Sequence, residues 1–194
     1  VEVRVKDVSV GPYWTGSSWT STVEKWINPG VSTNPWSYPT AAWISPGKRF
    51  EVHARAVDKA GNVQTVYSTS PFRYDTILPT AGVGDPAHGT YRNALATISG
   101  TSDDAGGAGA SGVTAVKLRV RRNTDSYYWN GAVFAAAVTT ITPTGTTPWT
   151  YTGLTGGALV SGTSYYAEVW AEDAATNIGA IGAPPQAANF WYDT

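Results

Sequence analysis

The sequence predicts an all-β protein that folds as two consecutive β-sandwich modules. Three observations support this prediction: the composition, an internal repeat, and short alternating runs separated by turns. The 194 residues include 9 Trp, 11 Tyr, 21 Gly and 12 Pro, but no Cys and no Met. Aromatic residues favour strands, whereas Gly and Pro favour turns, so this composition is typical of a strand-rich protein.

The repeat relates residues whose numbers differ by 115 over the first part of each copy. Val1 matches Val116, and the same offset joins several further pairs without a gap. These pairs are Arg4 and Arg119, Tyr13 and Tyr128, Trp14 and Trp129, and Gly16 and Gly131. Residues 47–62 match residues 162–177, and the phrase Tyr-Asp-Thr ends both copies, at Thr76 and at Thr194. The sequence therefore predicts one module over residues 1–76 and another over residues 77–194.

The two copies are unequal at their beginnings. Residues 77–115 of the second copy have no counterpart in the first, because Val1 already lies within the matching strand. We therefore expect the first module, as given, to lack its N-terminal strands. Two sources could supply them: preceding residues of the same polypeptide, or a strand donated by another subunit of a fibre.

The second copy divides into short strands in order along the chain. We expect strands in ALATISG, VTAVKLRVRR, SYYWNGAVF, PWTYTGL, SYYAEVWAED and ANFWYDT, and a loop in SDDAGGAGAS. The second and third of these strands should form a hairpin across residues 123–125. About seven strands and no helix are the result, as in a β-sandwich.

Alternation along the longest strand predicts which side chains face the core. Side chains of a strand point alternately to opposite faces of its sheet. Tyr165, Ala167, Val169 and Ala171 should face the core, as should the matching residues of the first copy, which are Phe50, Val52, Ala54 and Ala56. Tyr166, Glu168, Trp170 and Glu172 should face outward. His53 matches one of these outward positions and is expected at the surface.

The order of the motifs resembles a known family. It comprises ISGT, an Asp- and Gly-rich loop, VKLRV, YWNG, WTY, the pattern A-x-D-x-x-x-N and a final F-x-Y-D-T. This series is similar to the tandem bacterial immunoglobulin-like (Big-type) modules of large surface and secreted proteins. The resemblance implies an extracellular β-sandwich that acts as a structural stalk or adhesion segment, with neighbouring modules or fibre subunits as partners. Thr176 departs from the pattern, because the first copy has Gly61 there.

Catalytic chemistry has little support in the sequence. The only histidines are His53 and His88, and they lie in different copies. The chain has no cysteine and no G-x-S-x-G motif, so a histidine-assisted nucleophile is not indicated and we expect no enzyme. A formal net charge of -1 does not favour nucleic-acid binding. No apolar run approaches the roughly 20 residues that span a bilayer, so membrane insertion is not expected.

Calcium is the ion that the sequence favours, because acidic and carbonyl oxygens at the loop tips of a sandwich can converge. The candidate ligands are Asp58, Asn62, Asp75, Asp103, Asp104, Asp173 and Asn177. Asp and Asn at this spacing also form turns by bonding to nearby backbone groups. The turn interpretation is the simpler one.

The tryptophans divide into two groups. Trp14, Trp36, Trp129 and Trp149 occupy matched positions, so we expect them to pack within the modules. Trp170 and Trp191 are unmatched, since Arg55 and Arg73 take their places in the first copy. We expect these two indoles to lie side by side on an exposed face near Tyr166. This face favours an alternative function, a carbohydrate-binding or adhesive module, although such pairs also simply stabilise sheets. A third alternative is an accessory domain of a secreted enzyme.

Overall fold

A computed structural model describes residues 1–30, 35–154 and 156–194. The protein is all-β, as predicted, and its described strands form three sheets. The strands are β1 (Glu2–Asp7), β2 (Tyr13–Trp14), β3 (Trp19–Ser21), β4 (Lys48–Arg55), β5 (Ser68–Tyr74), β6 (Thr80–Asp85), β7 (Thr90–Arg92), β8 (Ile98–Asp103), β9 (Val113–Arg122), β10 (Tyr127–Trp129), β11 (Phe134–Ala135), β12 (Trp149–Tyr151), β13 (Thr163–Asp173) and β14 (Ala187–Tyr192). Single 3₁₀ turns cover Gly107–Gly109 and Gly156–Ala158.

The chain divides into two compact units. Unit 1 comprises residues 1–77 and 106–111, and unit 2 comprises residues 78–105 and 112–194. The main division lies one residue beyond the predicted module end at Thr76. The segment 106–111 was expected to be a loop of the second module, but it groups with unit 1. There, the Arg73 guanidinium donates to the Ala110 carbonyl oxygen at 2.6 Å.

Unit 2 has two sheets that share one core. The larger sheet has the strand order β11-β10-β9-β13-β14-β7, and the smaller sheet has the order β12-β8-β6. Ile98 and Trp149 of the smaller sheet and Leu118 and Tyr165 of the larger sheet are fully buried in the same cluster. Two sheets that enclose a common apolar layer have the arrangement of a β-sandwich.

The strands β6 and β7 were not predicted. β6 reads TAGVGD and contains two glycines, which weaken a strand signal. β7 has three residues and pairs in parallel with the last strand, β14. A strand of three residues can be identified only from its pairing with a strand that is distant in sequence. The predicted hairpin across residues 123–125 is confirmed, since β9 and β10 pair antiparallel around that turn.

Unit 1 has one sheet in its described part, with the order β3-β2-β1-β4-β5. Its apolar cluster includes Val3, Val5 and Phe50, which are fully buried, and the loop residue Trp43, which is 4% exposed. Trp43 and Phe50 pack edge to face, with ring centroids 5.5 Å apart. The Trp43 loop covers the part of this inner face that surrounds Phe50.

The sheet of unit 1 and the larger sheet of unit 2 pair their strands in the same register. Val5 lies opposite Val52, and Val120 lies opposite Ala167. The residue numbers of both partners therefore differ by 115 between the two units. In both units the indole of a β-hairpin donates to a tyrosine hydroxyl. Trp14 bonds to Tyr38 at 3.1 Å, and Trp129 bonds to Tyr151 at 2.8 Å.

The predicted core face is confirmed in unit 2 and only in part in unit 1. Tyr165, Ala167, Val169 and Ala171 are fully buried. Phe50 is fully buried, but Val52 and Ala54 are partly exposed and Ala56 is exposed. Trp36, which was expected to pack, is 36% exposed. Its counterpart Trp149 is buried because β12 belongs to the second sheet, and no such sheet occurs among the described residues of unit 1.

Among the residues with a described conformation, no helix has the length and apolar character needed to cross a bilayer.

Candidate functional site

The predicted aromatic face differs from the observed one at Trp170. This side chain lies on the outer face of β13, but it is only 8% exposed. The Arg119 guanidinium covers its ring at 5.2 Å from the centroid, and Arg119 is held there by an ion pair with Glu168 at 2.8 Å. The expectation that Trp170 is exposed was therefore wrong, because a neighbouring cation packs over the indole.

Trp170 and Trp191 are also far apart. Trp191 lies opposite Ser164, so Trp170 is six residues farther along β13 from the position that Trp191 faces. At about 3.3 Å per residue, this separates the two positions by roughly 20 Å. The prediction that the two indoles are neighbours was wrong, since the loop after β13 is long and β14 begins opposite Glu168.

Tyr166 lies between these positions on the same face. Its hydroxyl donates to the Gly182 carbonyl oxygen, and the Arg121 guanidinium lies 5.3 Å from its ring centroid. Burial raises the pKa of this hydroxyl, and the nearby Glu168 carboxylate adds to the increase. The polar end and one ring face of Tyr166 are thus engaged within unit 2.

Trp191 has an aromatic neighbour that the sequence did not reveal. Tyr91 of β7 lies directly beside it in the parallel pairing. The two rings stack, with centroids 5.3 Å apart and an angle of 23° between their planes. Tyr91 is 72% exposed and Trp191 is partly exposed, so the pair forms an open aromatic platform in which Tyr91 presents the more accessible ring. The contact between Tyr91 and Trp191 could be identified only from the parallel β7–β14 pairing, because no local sequence pattern predicts that pairing.

Neutral polar groups lie beside this platform on the same face. Asn189 is two residues before Trp191 on β14, and its Oδ1 accepts a hydrogen bond from Asn123 Nδ2 at 2.8 Å. The same Asn123 nitrogen donates to Ser164 Oγ at 3.0 Å. His88 lies in a turn, and its Nδ1 accepts from the Asn189 backbone N–H at 3.1 Å.

Asp58 and Asn62 form the turn that the simpler interpretation predicts. Asp58 Oδ1 accepts from the Asn62 backbone N–H at 2.8 Å, and Oδ2 accepts from Asn62 Nδ2 at 2.7 Å. These bonds from the side chain and backbone of Asn62 hold the pKa of Asp58 below its ordinary value. Asp173 and Asn177 make the same two bonds, at 2.8 and 2.7 Å. Both turns use their carboxylates as internal hydrogen-bond acceptors.

Thr176 does not change the turn geometry, although its presence put that geometry in question. Its φ is 69°, and the matching Gly61 has a φ of 88°. Each residue donates its backbone N–H to the carbonyl of the turn aspartate, at 3.3 Å for Thr176 and 3.1 Å for Gly61. A β-branched residue in this region is unusual, so the turn constrains the backbone at Thr176.

Asp75 closes unit 1. Its side chain is largely buried, with Oδ1 accepting from the Ile77 N–H at 3.0 Å and Oδ2 accepting from the Ser111 N–H at 2.7 Å. Burial by itself would raise the pKa of Asp75, but these backbone donors lower it to a net value below the ordinary one. The Asp of the Tyr-Asp-Thr phrase therefore fixes two backbone segments of unit 1.

Asp103 and Asp104 have different surroundings. Asp103 ends β8 with an exposed side chain, whereas Asp104 Oδ2 accepts from the Gly112 N–H at 2.6 Å. Within unit 2, carboxylate oxygens of Asp104 and Asp173 lie within 4.8 Å of each other. These two residues could contribute oxygens to a calcium ion, which takes six to eight. Calcium binding stays a prediction.

His53 is buried, in contrast to the expected surface position. It is 8% exposed, and its Nδ1 lies 2.9 Å from Thr69 Oγ1. The Tyr67 ring contacts it edge to face at 5.7 Å. Burial lowers the pKa of His53, and the charge of Arg4 lowers it further, while Glu51 and Glu24 oppose the decrease.

Arg4 explains why this outer face is covered. The guanidinium lies 5.0 Å from the Trp26 ring centroid, 5.4 Å from that of Tyr67 and 5.7 Å from that of Tyr13. It also forms an ion pair with Glu24. Trp26 and Tyr67 lie in loops, which strand alternation does not describe, and Tyr13 lies in the two-residue strand β2, so no sequence pattern indicated this cover.

Comparisons of the chain with models of known protein families and with curated protein sequences found no match.

Proposed function

We propose that this chain is a non-catalytic structural segment, of the stalk or adhesion type, in a larger extracellular bacterial protein. Its two units are tandem immunoglobulin-like modules in this proposal. The identical strand registers and the paired Trp–Tyr hydrogen bonds favour duplication of one module. The engaged carboxylates of the Asp–Asn turns favour a structural use of residues that could otherwise bind ions.

The observation that carries the proposal is the relative direction of the strands near the beginning and the end of each unit. In unit 1, β1 and β5 both pair antiparallel with β4, so they run in the same direction. Glu2 lies opposite Arg55, whereas Tyr74 lies opposite Lys48 at the other end of β4. Tension applied before Glu2 and after Tyr74 therefore acts along the strands and loads many hydrogen bonds together.

Unit 2 has the same property through a direct contact. β7, near its beginning, and β14, at its end, pair in parallel over Phe190–Tyr192 and Thr90–Arg92. Pulling the unit from its two ends slides these strands along each other. Resistance to such shear is what a segment that transmits load between other parts of a protein requires.

Single-molecule force measurements test this function. The chain has no native Cys, so handles can be attached through introduced cysteines alone. Handles at Leu78→Cys and Thr194→Cys load unit 2 from its ends. We expect a higher unfolding force than with handles at Ser161→Cys and Thr194→Cys, because the Gly162 N–H bonds to the Tyr192 carbonyl there and tension peels β14 from β13 bond by bond.

Equal unfolding forces in the two geometries would contradict a load-bearing role. Thermal unfolding of both cysteine variants provides the control, since each must retain the midpoint of the unmodified chain before the forces are compared.

A further inference from the structure

The aromatic platform of Tyr91 and Trp191 is open on its outer side. Its flanking position on β13 is Ser164, which has a small side chain, and Trp191 is partly exposed. On the other side, β7 is the last strand of its sheet. Arg73 occupies the matching position in unit 1, so the platform is a property of unit 2 and is unrelated to the shared scaffold.

Hydrogen-bonding groups surround the platform on the sheet surface. Asn189 Oδ1 is oriented by its bond from Asn123, which leaves the Asn189 Nδ2 hydrogens directed away from that bond. Within the described ranges, this amide nitrogen has no hydrogen-bond partner. The Ser164 hydroxyl, which accepts from the same Asn123 nitrogen, also lies next to Trp191. A ligand on the rings would thus meet neutral donors and acceptors at its edge.

The charges around the platform are already paired or engaged. Arg92, next to Tyr91, forms an ion pair with Asp85. Arg121 lies over the Tyr166 ring and donates to Asn123 Oδ1 at 3.3 Å. Nucleic acid requires several cations that contact phosphates, and a stable protein interface requires a much larger apolar area than two rings. These conditions favour a small, neutral, flat ligand with hydroxyl groups at its edge.

We infer that the Tyr91–Trp191 platform binds a pyranose ring of a neutral glycan. The apolar C–H face of the sugar stacks on the exposed Tyr91 ring, which Trp191 supports, and its hydroxyls bond to the Asn189 amide. This site replaces the predicted face of Tyr166, Trp170 and Trp191, of which only Trp191 remains. It goes beyond a structural role, because a stalk does not require an exposed stacked pair.

An array of neutral oligosaccharides tests the inference, with cellohexaose, chitohexaose, xylohexaose and mannohexaose as probes. We expect the full chain to bind at least one of them. Tyr91→Ala should weaken that binding about tenfold, equivalent to roughly 1.4 kcal/mol of lost stacking, whereas Tyr91→Trp should retain it. Trp191→Arg, which introduces the side chain found at the matching position of unit 1, should also abolish stacking.

Tyr127→Ala is the matched control. Tyr127 is a 39% exposed aromatic on β10 of the same sheet, away from the platform, so its removal should leave glycan binding unchanged. Absence of binding to all four probes would overturn the inference, as would binding that survives Tyr91→Ala or falls equally with Tyr127→Ala. The force measurements use chains that retain Tyr91 and Trp191 and need no glycan, so failure of the glycan site and failure of the load-bearing role are distinguishable.

Discussion

At the scale of single residues, the largest departure from the sequence-based picture is the burial of charged and polar side chains on an outer sheet face. His53 is 8% exposed although it was predicted on the solvent side of its strand, and Arg4, which lies opposite it in the β1–β4 pairing, is 5% exposed. Strand alternation predicts the sheet face on which a side chain lies, but the packing of loops determines whether that face is exposed to solvent. In unit 1, Trp26 and Tyr67 pack against the Arg4 guanidinium and remove it from water.

The burial of His53 predicts a loss of stability at mildly acidic pH. Its folded-state pKa lies below the ordinary value of 6.5, because burial and then the Arg4 charge disfavour the imidazolium. The unfolded chain therefore takes up a proton first as the pH falls below 6.5, and the free energy of unfolding of unit 1 decreases. Above that pH the contribution is fully present. The facing groups are Arg4, Glu24, Glu51, Tyr67 and Thr69.

Urea unfolding at about pH 7.5 and about pH 5.5 measures this effect, since a histidine titrates within that interval. His53→Gln keeps a polar group that can bond to Thr69 but does not titrate. We expect a smaller decrease between the two pH values in this variant than in the unsubstituted chain. An equal decrease in both proteins would show that another group is responsible.

At the scale of elements, the feature that the two units share most closely is the turn after the longest strand of each unit. Both turns place an Asp carboxylate between the backbone and side-chain nitrogens of an Asn four residues later. The pattern was visible in the sequence because the bonds are local. The positive φ at the fourth residue follows from the same bonds and does not depend on having glycine there.

Exchanging the fourth residues of the two turns tests this account. Thr176→Gly should raise the free energy of unfolding, and Gly61→Thr should lower it, each by about 0.5–1 kcal/mol, because relief of left-handed strain exceeds the entropic cost of glycine. Chemical denaturation of each variant measures the change. A destabilised Thr176→Gly would instead indicate that the threonine side chain contributes packing that outweighs the strain.

At the scale of the whole molecule, the two units differ in the size of their cores. Among the described residues, the buried cluster of unit 2 contains 16 residues drawn from both of its sheets, whereas that of unit 1 contains Val3, Val5, Trp14, Trp43 and Phe50. Stability in different parts of a protein follows the apolar surface that each part buries. Unit 2 is therefore expected to be the more stable unit.

Amide hydrogen exchange measures this difference. The backbone N–H groups of β9 and β13 should exchange more slowly than those of β1 and β4, although both strand pairs have the same register. Leu118→Ala, which opens a cavity in the larger core, should accelerate exchange in β9 and β13 by lowering stability about 2–5 kcal/mol. Val3→Ala is the corresponding change in unit 1, because Val3 matches Leu118 and is also fully buried. Slower exchange in β1 and β4 would contradict the ranking.

The sequence by itself determined the features that depend on short stretches of chain. These are the strand content, the β9–β10 hairpin, the Asp–Asn turns and the inward side of β13, because each follows from alternation or from bonds between residues a few positions apart. The offset of 115 also located matching positions such as Trp14 and Trp129, which make equivalent hydrogen bonds.

Only the tertiary structure decided which outer residues are covered and which aromatic rings meet. Trp170 is covered by Arg119 from the adjacent strand, and Arg4 is covered by rings from distant loops. Tyr91 reaches Trp191 from 100 residues earlier in the chain, through a three-residue parallel pairing. The physical reason is that burial and ring stacking depend on the packing of segments remote in sequence, for which strand periodicity carries no information.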